Sequence, residues 1–421
     1  MKAERAALVG LITGPVRRTE AERSLDELAG LATAAGASVG LRVLQERDRP
    51  DAGTFLGSGK IATLGVACDE TDVDLVVFDN ELTPAQLRQI ESRLSQKVID
   101  RTQLILDIFA ARARTREGKL QVELAQLKYL MPRLVGGSDW LSRLGGGIGT
   151  RGPGETKLEA DRRRIRQRIT HLNGQLEDVR KRRLQLRERR HKASVPTVAL
   201  VGYTNAGKTT LFNLLAGEQA VVSDALFVTL DPLVRRVRLA DHRELLVSDT
   251  VGFIDRLPHT LVAAFRATLE EVVAADLLLH VIDAGTPGME HRVAAVRRTL
   301  DEVGAGEVLS VDVFNKCDLL DTAERERLQR REPEALCISA TTGFGRAELV
   351  DAITARLGLD VRRIVVKLNP GIEADRQRMA QIYRFGRVEQ HTEHDDQVWI
   401  EADVPRRLWS RLQRGVEDSD E

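Results

Sequence analysis

The residues with the clearest chemistry lie at the ends of short apolar runs. The segment GYTNAGKTT, Gly202 to Thr210, follows the apolar TVALVG run and leads into the helical pattern LFNLLAG. It fits G-x-x-x-x-G-K-[ST], a loop that cradles nucleotide phosphates because glycines let backbone amides approach the anion. Gly202 and Gly207 allow that curl, and Tyr203, Thr204, Asn205, Ala206 and Thr210 complete the phosphate-binding set. Lys208 is expected to reach the β- and γ-phosphates and Thr209 to ligate magnesium. By contrast GSGK, Gly57 to Lys60, is followed by Ile61 and lacks the pattern.

Later residues choose the base. In LLVSDTVG, Asp249 comes from a strand end and suits water-mediated magnesium contact, while Gly252 is placed to sense the γ-phosphate. In VLSVDVFNKCD, Asn315, Lys316 and Asp318 follow another apolar run. An aspartate accepts hydrogen bonds from both the ring N1 and the exocyclic amine of guanine, a pairing that adenine cannot offer. Ser339 and Ala340 in CISATTG supply backbone groups for the base oxygen. Between the phosphate loop and Asp249, Thr229 in DALFVTLDP is the expected switch residue that completes the magnesium shell. Lys208, Thr229 and Gly252 are therefore the candidate catalytic set. The residue after Gly252 is Phe253, whose side chain cannot orient water as a glutamine would, so intrinsic hydrolysis is expected to be slow.

These residues need elements to position them. A chain of 421 residues with 42% hydrophobic and 30% charged residues has room for two or three cored domains. Up to about residue 101, short apolar runs (AALVGLI, VGLRVLQ, DLVVFD) alternate with helical patterns such as TPAQLRQIESRL, which predicts an amino-terminal α/β domain over 1–101. A P-loop GTPase domain follows over 194–358. VRRIVVKLNP, QVWIEADVP and the helical segment between them predict a small carboxy-terminal α+β domain over 359–421. The fold class is α/β. The three cysteines, Cys68, Cys317 and Cys337, are too scattered for a zinc site or a disulfide framework and fit a reducing compartment. With no apolar run of membrane-spanning length and no signal-peptide pattern, a cytoplasmic location is expected.

Residues 102–193 read as a helical hairpin. LILDIFAARARTREGKLQVELAQLKYLM carries Leu106, Ala113, Leu120 and Leu127 seven apart, with Leu124 beside them, and predicts one long amphipathic helix with Gly118 as a weak point. Thr156 and Glu159 form a T-x-x-E capping box that starts a second helix. Its apolar residues Leu158, Ile165, Leu172, Val179 and Leu186 also recur every seven, and Asn173 and Gly174 are the expected soft spot. The tip between the helices holds six glycines from Gly145 to Gly154, with Arg151 among them.

Lys and Arg balance Asp and Glu at 63 each, yet Lys157 to Lys192 holds 14 basic and 5 acidic residues. DRRRIRQR, with Arg162, Arg163 and Arg164, leaves few acids for intrahelical pairing, which favours an anionic partner such as RNA. Aromatics are absent from this segment, so phosphate contact is favoured over base stacking.

Together the motifs resemble the HflX family of translation-associated GTPases. The likeness rests on FDNELTPAQLRQIE, VIDRTQLILDIFAARARTREGKLQVELAQLKYLMPRL, GGGIGTRGPGETKLEADRRRI, VALVGYTNAGKTTLFNLL and SDTVGFIDRLPHTLVAAFRATLEE. The family more often has serine at the position of Thr209 and a residue other than cysteine at Cys317, and both changes keep the needed chemistry. The residues by themselves point to a GTPase that uses Mg2+ and binds GTP and GDP, and a monomer is expected. The resemblance implies binding to the large ribosomal subunit and its RNA, which stimulates hydrolysis, and in several members the splitting of stalled ribosomes under stress. Ribosome contact would fall to Arg151 at the tip and to Arg162, Arg163 and Arg164. A GTP-gated assembly factor without splitting activity and an RNA-remodelling enzyme remain open alternatives.

Overall fold

The computed structural model describes residues 3–14, 17–134, 157–192, 195–217, 226–227, 229–230, 233–239, 244–256, 266–394, 397–406 and 409. The chain divides into two compact units. The first comprises Met1–Leu186, Ser223–Asp231 and Arg256–Ala267, and the second Arg187–Val222, Pro232–Asp255 and Thr268–Glu421.

In the first unit, β1 (Arg5–Ile12), β2 (Ser38–Glu46), β3 (Leu75–Phe78) and β4 (Lys97–Asp100) form an all-parallel sheet in the order β2-β1-β3-β4. Helices α1 (Arg18–Ala34), α2 (Ser58–Glu70) and α3 (Pro84–Glu91) make the crossovers. β1 is buried along seven of its eight residues, as a strand covered on both faces must be. Asp79, just past β3, is buried and accepts hydrogen bonds from Ser24 Oγ at 2.6 Å and Arg101 at 2.8 Å.

The long helix expected after residue 101 is instead two: α4 (Arg101–Arg112) and α5 (Arg116–Leu130). The break falls at Ala113, whose backbone is extended, and not at Gly118. Two side-chain caps explain this. Asp100 accepts from the Gln103 amide at 2.9 Å to start α4, and Thr115 accepts from the Gly118 amide at 3.0 Å to start α5. A capping threonine offers the backbone an end to the helix that a heptad pattern does not register.

The second hairpin helix, α6 (Lys157–Lys192), runs unbroken through Asn173 and Gly174, so the soft spot expected there is absent. Leu120 and Leu124 of α5 pack against buried Leu172, with Leu127, Ile169 and Leu176 around them. The pairing is antiparallel: Glu117 meets Arg183 at 2.7 Å, whereas Glu123, further along α5, meets Arg168 of lower number at 2.6 Å. The expected shortage of acids on α6 is thus met in part from outside, because α5 supplies two of them. Arg163 and Arg164 remain exposed, and Arg162 is half-buried. The glycine-rich tip with Arg151, and Thr156 of the expected capping box, lie outside the described residues.

The second unit is built on a six-stranded sheet in the order β10-β9-β8-β5-β7-β6. Its strands are β5 (Thr197–Gly202), β6 (Leu233–Arg238), β7 (Glu244–Asp249), β8 (Leu277–Asp283), β9 (Ser310–Asn315) and β10 (Leu336–Cys337). All pairs are parallel except β6 with β7. Helices α7 (Lys208–Ala216), α8 (Arg266–Val273), α9 (Met289–Glu302), α10 (Thr322–Arg331) and α11 (Arg346–Arg356) follow in chain order.

Val198, Leu200, Leu211, Phe212, Val247, Leu279, Val313 and Ile353 are among its core residues, and Leu359 joins them. Beyond, β11 (Val361–Leu368), α12 (Glu373–Phe385), β12 (Arg387–His394) and β13 (Gln397–Pro405) form the small α+β part. Its antiparallel sheet has the order β11-β13-β12 and a core of its own around Ile364, Ile382 and Ile400.

Candidate functional site

Parallel strands deliver their carboxyl ends to one edge of the sheet, where ligands of open α/β sheets bind. β5 ends at Gly202, β7 at Asp249, β8 at Asp283 and β9 at Asn315. Four strand ends therefore bring together residues more than a hundred positions apart in sequence.

On the phosphate side, glycine is required by close approach. A Cβ on Gly202 would stand 2.2 Å from the Val281 carbonyl oxygen. One on Gly252 would stand 2.7 Å from Thr204 Cα. Gly207 has φ of 90°, a left-handed conformation suited to glycine, and its missing Cβ leaves room for Asn315 Nδ2. The loop is laced to the Asp249 segment by main chain: the Phe253 amide donates to Gly202 O at 3.0 Å and the Thr204 amide donates to Phe253 O at 2.7 Å. Tyr203 adds a side-chain tie, its hydroxyl accepting from the Asp255 amide at 2.8 Å.

Lys208 is buried beneath this loop, with Nζ donating to the carbonyls of Gly202 at 3.1 Å and Tyr203 at 2.8 Å. Burial lowers its pKa to about 8, and the nearby Asp249 carboxylate opposes part of that shift. Thr209 Oγ1 donates to Asp249 Oδ2 at 2.8 Å. A hydroxyl and a carboxylate side by side are the hard oxygen donors that magnesium takes alongside phosphate oxygens. Among the described residues no group of three or more His, Cys, Asp and Glu could hold a metal by itself. Phe253 is 2% exposed, with its main chain committed to the phosphate loop, so it lacks both the polar group and the freedom to hold a water.

On the base side, Asn315 is the joint. Its Nδ2 donates to the Ala206 carbonyl at 2.9 Å, and its Oδ1 accepts from the Ala340 amide at 2.9 Å. One buried side chain thus fixes the phosphate loop and the Ser339–Ala340 loop together. Lys316 takes a left-handed conformation with φ of 64° and donates to Asp283 Oδ2 at 2.8 Å. Ser339 is fully buried and Asp318 exposed. Asn205 is exposed, with φ of 60°, and Thr210 lies in the first turn of α7.

Thr229 is half-buried and clusters with the first unit, whereas Thr209 and Asp249 belong to the second. Its neighbour Phe227 is buried and meets Phe109 edge-on, ring centroids 4.7 Å apart. Sequence reasoning passed over two residues here. Asp283 had a signal, since it ends an apolar strand as Asp249 does. Thr250, whose buried hydroxyl donates to Leu200 O at 2.6 Å, had none.

Comparisons with known proteins show the family to which the chain belongs. Three family models match: "GTP-binding GTPase N-terminal" over residues 22–110, "GTP-binding GTPase Middle Region" over 112–190 and "50S ribosome-binding GTPase" over 197–316. GTPase HflX of Caldanaerobacter subterraneus subsp. tengcongensis is 49% identical, covering 84% of this chain and 81% of its own. GTPase HflX of Escherichia coli K12 is 45% identical, covering 92% and 91%. A solved GTP-binding protein from Sulfolobus solfataricus in complex with GDP covers 84% of this chain and 98% of its own at 23% identity, with a TM-score of 0.43. With these relatives at 49% and 45% identity over most of both chains, beside the three matching models, the chain belongs to the HflX family of GTPases.

Proposed function

We propose that this GTPase depends on magnesium, works on the large ribosomal subunit, and splits or rescues stalled ribosomes under stress. The observation that carries the nucleotide part is Asn315, which holds Ala206 and Ala340 at 2.9 Å each and so sets phosphate and base recognition in one frame. In this reading the amides of Gly202 to Thr210 cradle the phosphates, and Lys208 neutralises the β- and γ-oxygens. Asp318 and Lys316 select guanine, with Ser339 and Ala340 at the base oxygen. Magnesium, when bound at Thr209, Asp249 and Thr229, would offset the negative charge that develops on the phosphate oxygens.

Gly252 meets the γ-phosphate without a side chain in the way. Because Phe253 is sealed against the phosphate loop, the attacking water must be ordered from outside, which fits slow intrinsic turnover and stimulation by a partner. The ribosomal partner is supported by the match of residues 197–316 to a 50S ribosome-binding GTPase model and by exposed Arg163 and Arg164. Arg151 and Arg162 complete the proposed RNA-facing set, and the working form is a cytoplasmic monomer.

GTP turnover measured with and without purified large subunits tests this reading, and absence of stimulation contradicts it. Sedimentation of 70S ribosomes with the protein and GTP, GDP or a non-hydrolysable analogue separates splitting from binding alone. Intact ribosomes carrying the protein would favour a GTP-gated binding or assembly factor.

A further inference from the structure

Cys317 and Cys337 lie twenty residues apart in sequence and meet under the proposed base site. Cys317 stands between Lys316 and Asp318, and Cys337 ends β10 two residues before Ser339. The Cys317 amide donates to Ile338 O at 3.0 Å, and both side chains belong to one apolar cluster with Phe314 and Leu328. Cys317 is fully buried and Cys337 half-buried; Cys317 Sγ donates to Phe314 O at 3.3 Å, and Cys337 is the residue paired with Phe314 across β9 and β10. Beside them is the Arg325 guanidinium, whose Nε is buried and makes no hydrogen bond.

We propose that Cys317 and Cys337 form a reversible disulfide with hydrogen peroxide, and that closing it disables guanine recognition. This rests on the assignment of Lys316, Asp318, Ser339 and Ala340 to the base.

The chemistry favours Cys337 as the attacking sulfur. The neighbouring Cys317 thiol and, to a lesser degree, the Arg325 charge lower its pKa to about 7 against the opposing effect of burial, while Cys317 is pushed upward. The Cys337 thiolate attacks one peroxide oxygen and breaks the O–O bond, leaving a sulfenic acid and a hydroxide that takes up a proton. The Cys317 sulfur then attacks the Cys337 sulfur, and the displaced hydroxide leaves as water with the Cys317 proton. Two thiols and one peroxide become one disulfide and two waters. The third cysteine, Cys68, is fully buried in the first unit, and burial raises its pKa to about 11, so it stays outside this reaction.

Closure must bring the sulfurs to about 2.05 Å. Cys317 has little room to yield, since Lys316 is held in its left-handed turn by Asp283 and Asn315 is tied on two sides. The shift therefore falls on Cys337 and on Ser339 and Ala340 just beyond it.

The test uses the full-length protein, treated with hydrogen peroxide and then with dithiothreitol. Mass spectrometry of unreduced peptides is expected to find Cys317 linked to Cys337. GDP affinity is expected to fall at least about tenfold and to recover on reduction, while Cys337→Ser keeps its affinity through the same treatment. Oxidation that leaves no linked peptide overturns the proposal, and so does a linked peptide with unchanged GDP affinity. Asp318→Asn in the reduced protein reports separately on the base site: a preference that does not move from guanine toward xanthine removes that assignment, whatever the cysteines do.

Discussion

The proposed phosphate side of the site is assembled by main chain, whereas the proposed base side hangs on side chains. Gly202, Thr204 and Phe253 bond to each other through amides and carbonyls, and absent Cβ atoms at Gly202, Gly207 and Gly252 let those strands approach. Across the sheet edge, Asn315 reaches both loops and Lys316 is steadied by Asp283. A main-chain site tolerates almost any side chain that fits and no side chain that intrudes. A side-chain site can be adjusted, or switched, by one substitution or one modification. The proposed reactive pair, Cys317 and Cys337, lies on the side where such a modification could act.

The sharpest way to break the phosphate side is Gly252→Ala. Its Cβ would meet the Thr204 main chain at Cα, 2.7 Å away, and the buried Lys208 Nζ at 3.0 Å, and the Thr204 backbone is held by its hydrogen bond to Phe253 O. GTP turnover is expected to fall about a hundredfold, since displacements of about 1 Å at a reacting centre have effects of that size. Turnover within a few-fold of the parent would show that the main-chain lacing is softer than argued.

Asn315→Ala attacks the base side and is expected to act more mildly. It removes two hydrogen bonds and leaves the Ala340 amide without its partner, a loss of about 2 kcal/mol, or about thirtyfold in GDP affinity. Calorimetric titration and a denaturant melt on the same variant separate lost binding from lost stability. If affinity drops while stability holds, Asn315 serves nucleotide recognition more than folding.

The smallest effect is protonic and belongs to Lys208. Its pKa is lowered to about 8 by burial, so above that pH the side chain is increasingly neutral. A nucleotide polyphosphate favours the charged form, so binding should draw in a proton, roughly half a proton per nucleotide near pH 8. Calorimetry in two buffers of different ionisation enthalpy measures that uptake. The same shift makes the unfolded chain bind more protons than the native one between about pH 8 and 10.5. The contribution of Lys208 to stability therefore rises with pH across that window. Uptake that stays at zero near pH 8 would place Lys208 in a wetter setting than its burial indicates.

Much of this was legible because glycine and lysine positions in a phosphate loop are dictated locally, by close approach and by charge. The strand that leads into the loop announced itself as the apolar run Val198 to Val201. The hairpin was half legible. Its seam at Leu120, Leu124, Leu172 and Leu176 follows the heptads, yet the helix break at Ala113 came from the Thr115 cap, which periodicity does not weigh. Part of the charge balance on α6 was hidden for a related reason: Glu117 and Glu123 are remote from Arg183 and Arg168 in sequence and opposite them in space.

By itself the sequence determined the chemical inventory: a P-loop, the threonine and aspartate proposed for magnesium, the aspartate proposed for guanine, and two heptad-bearing helices. Each depends on residues within a few positions of one another, where local sterics and chemistry decide. Only the tertiary structure decided that Asn315 joins Ala206 to Ala340, that Phe253 is locked against the phosphate loop, and that Cys317 meets Cys337. Those contacts arise where separate strands end at one sheet edge, and the order in which strands assemble is set by packing of the whole core, which no short stretch encodes.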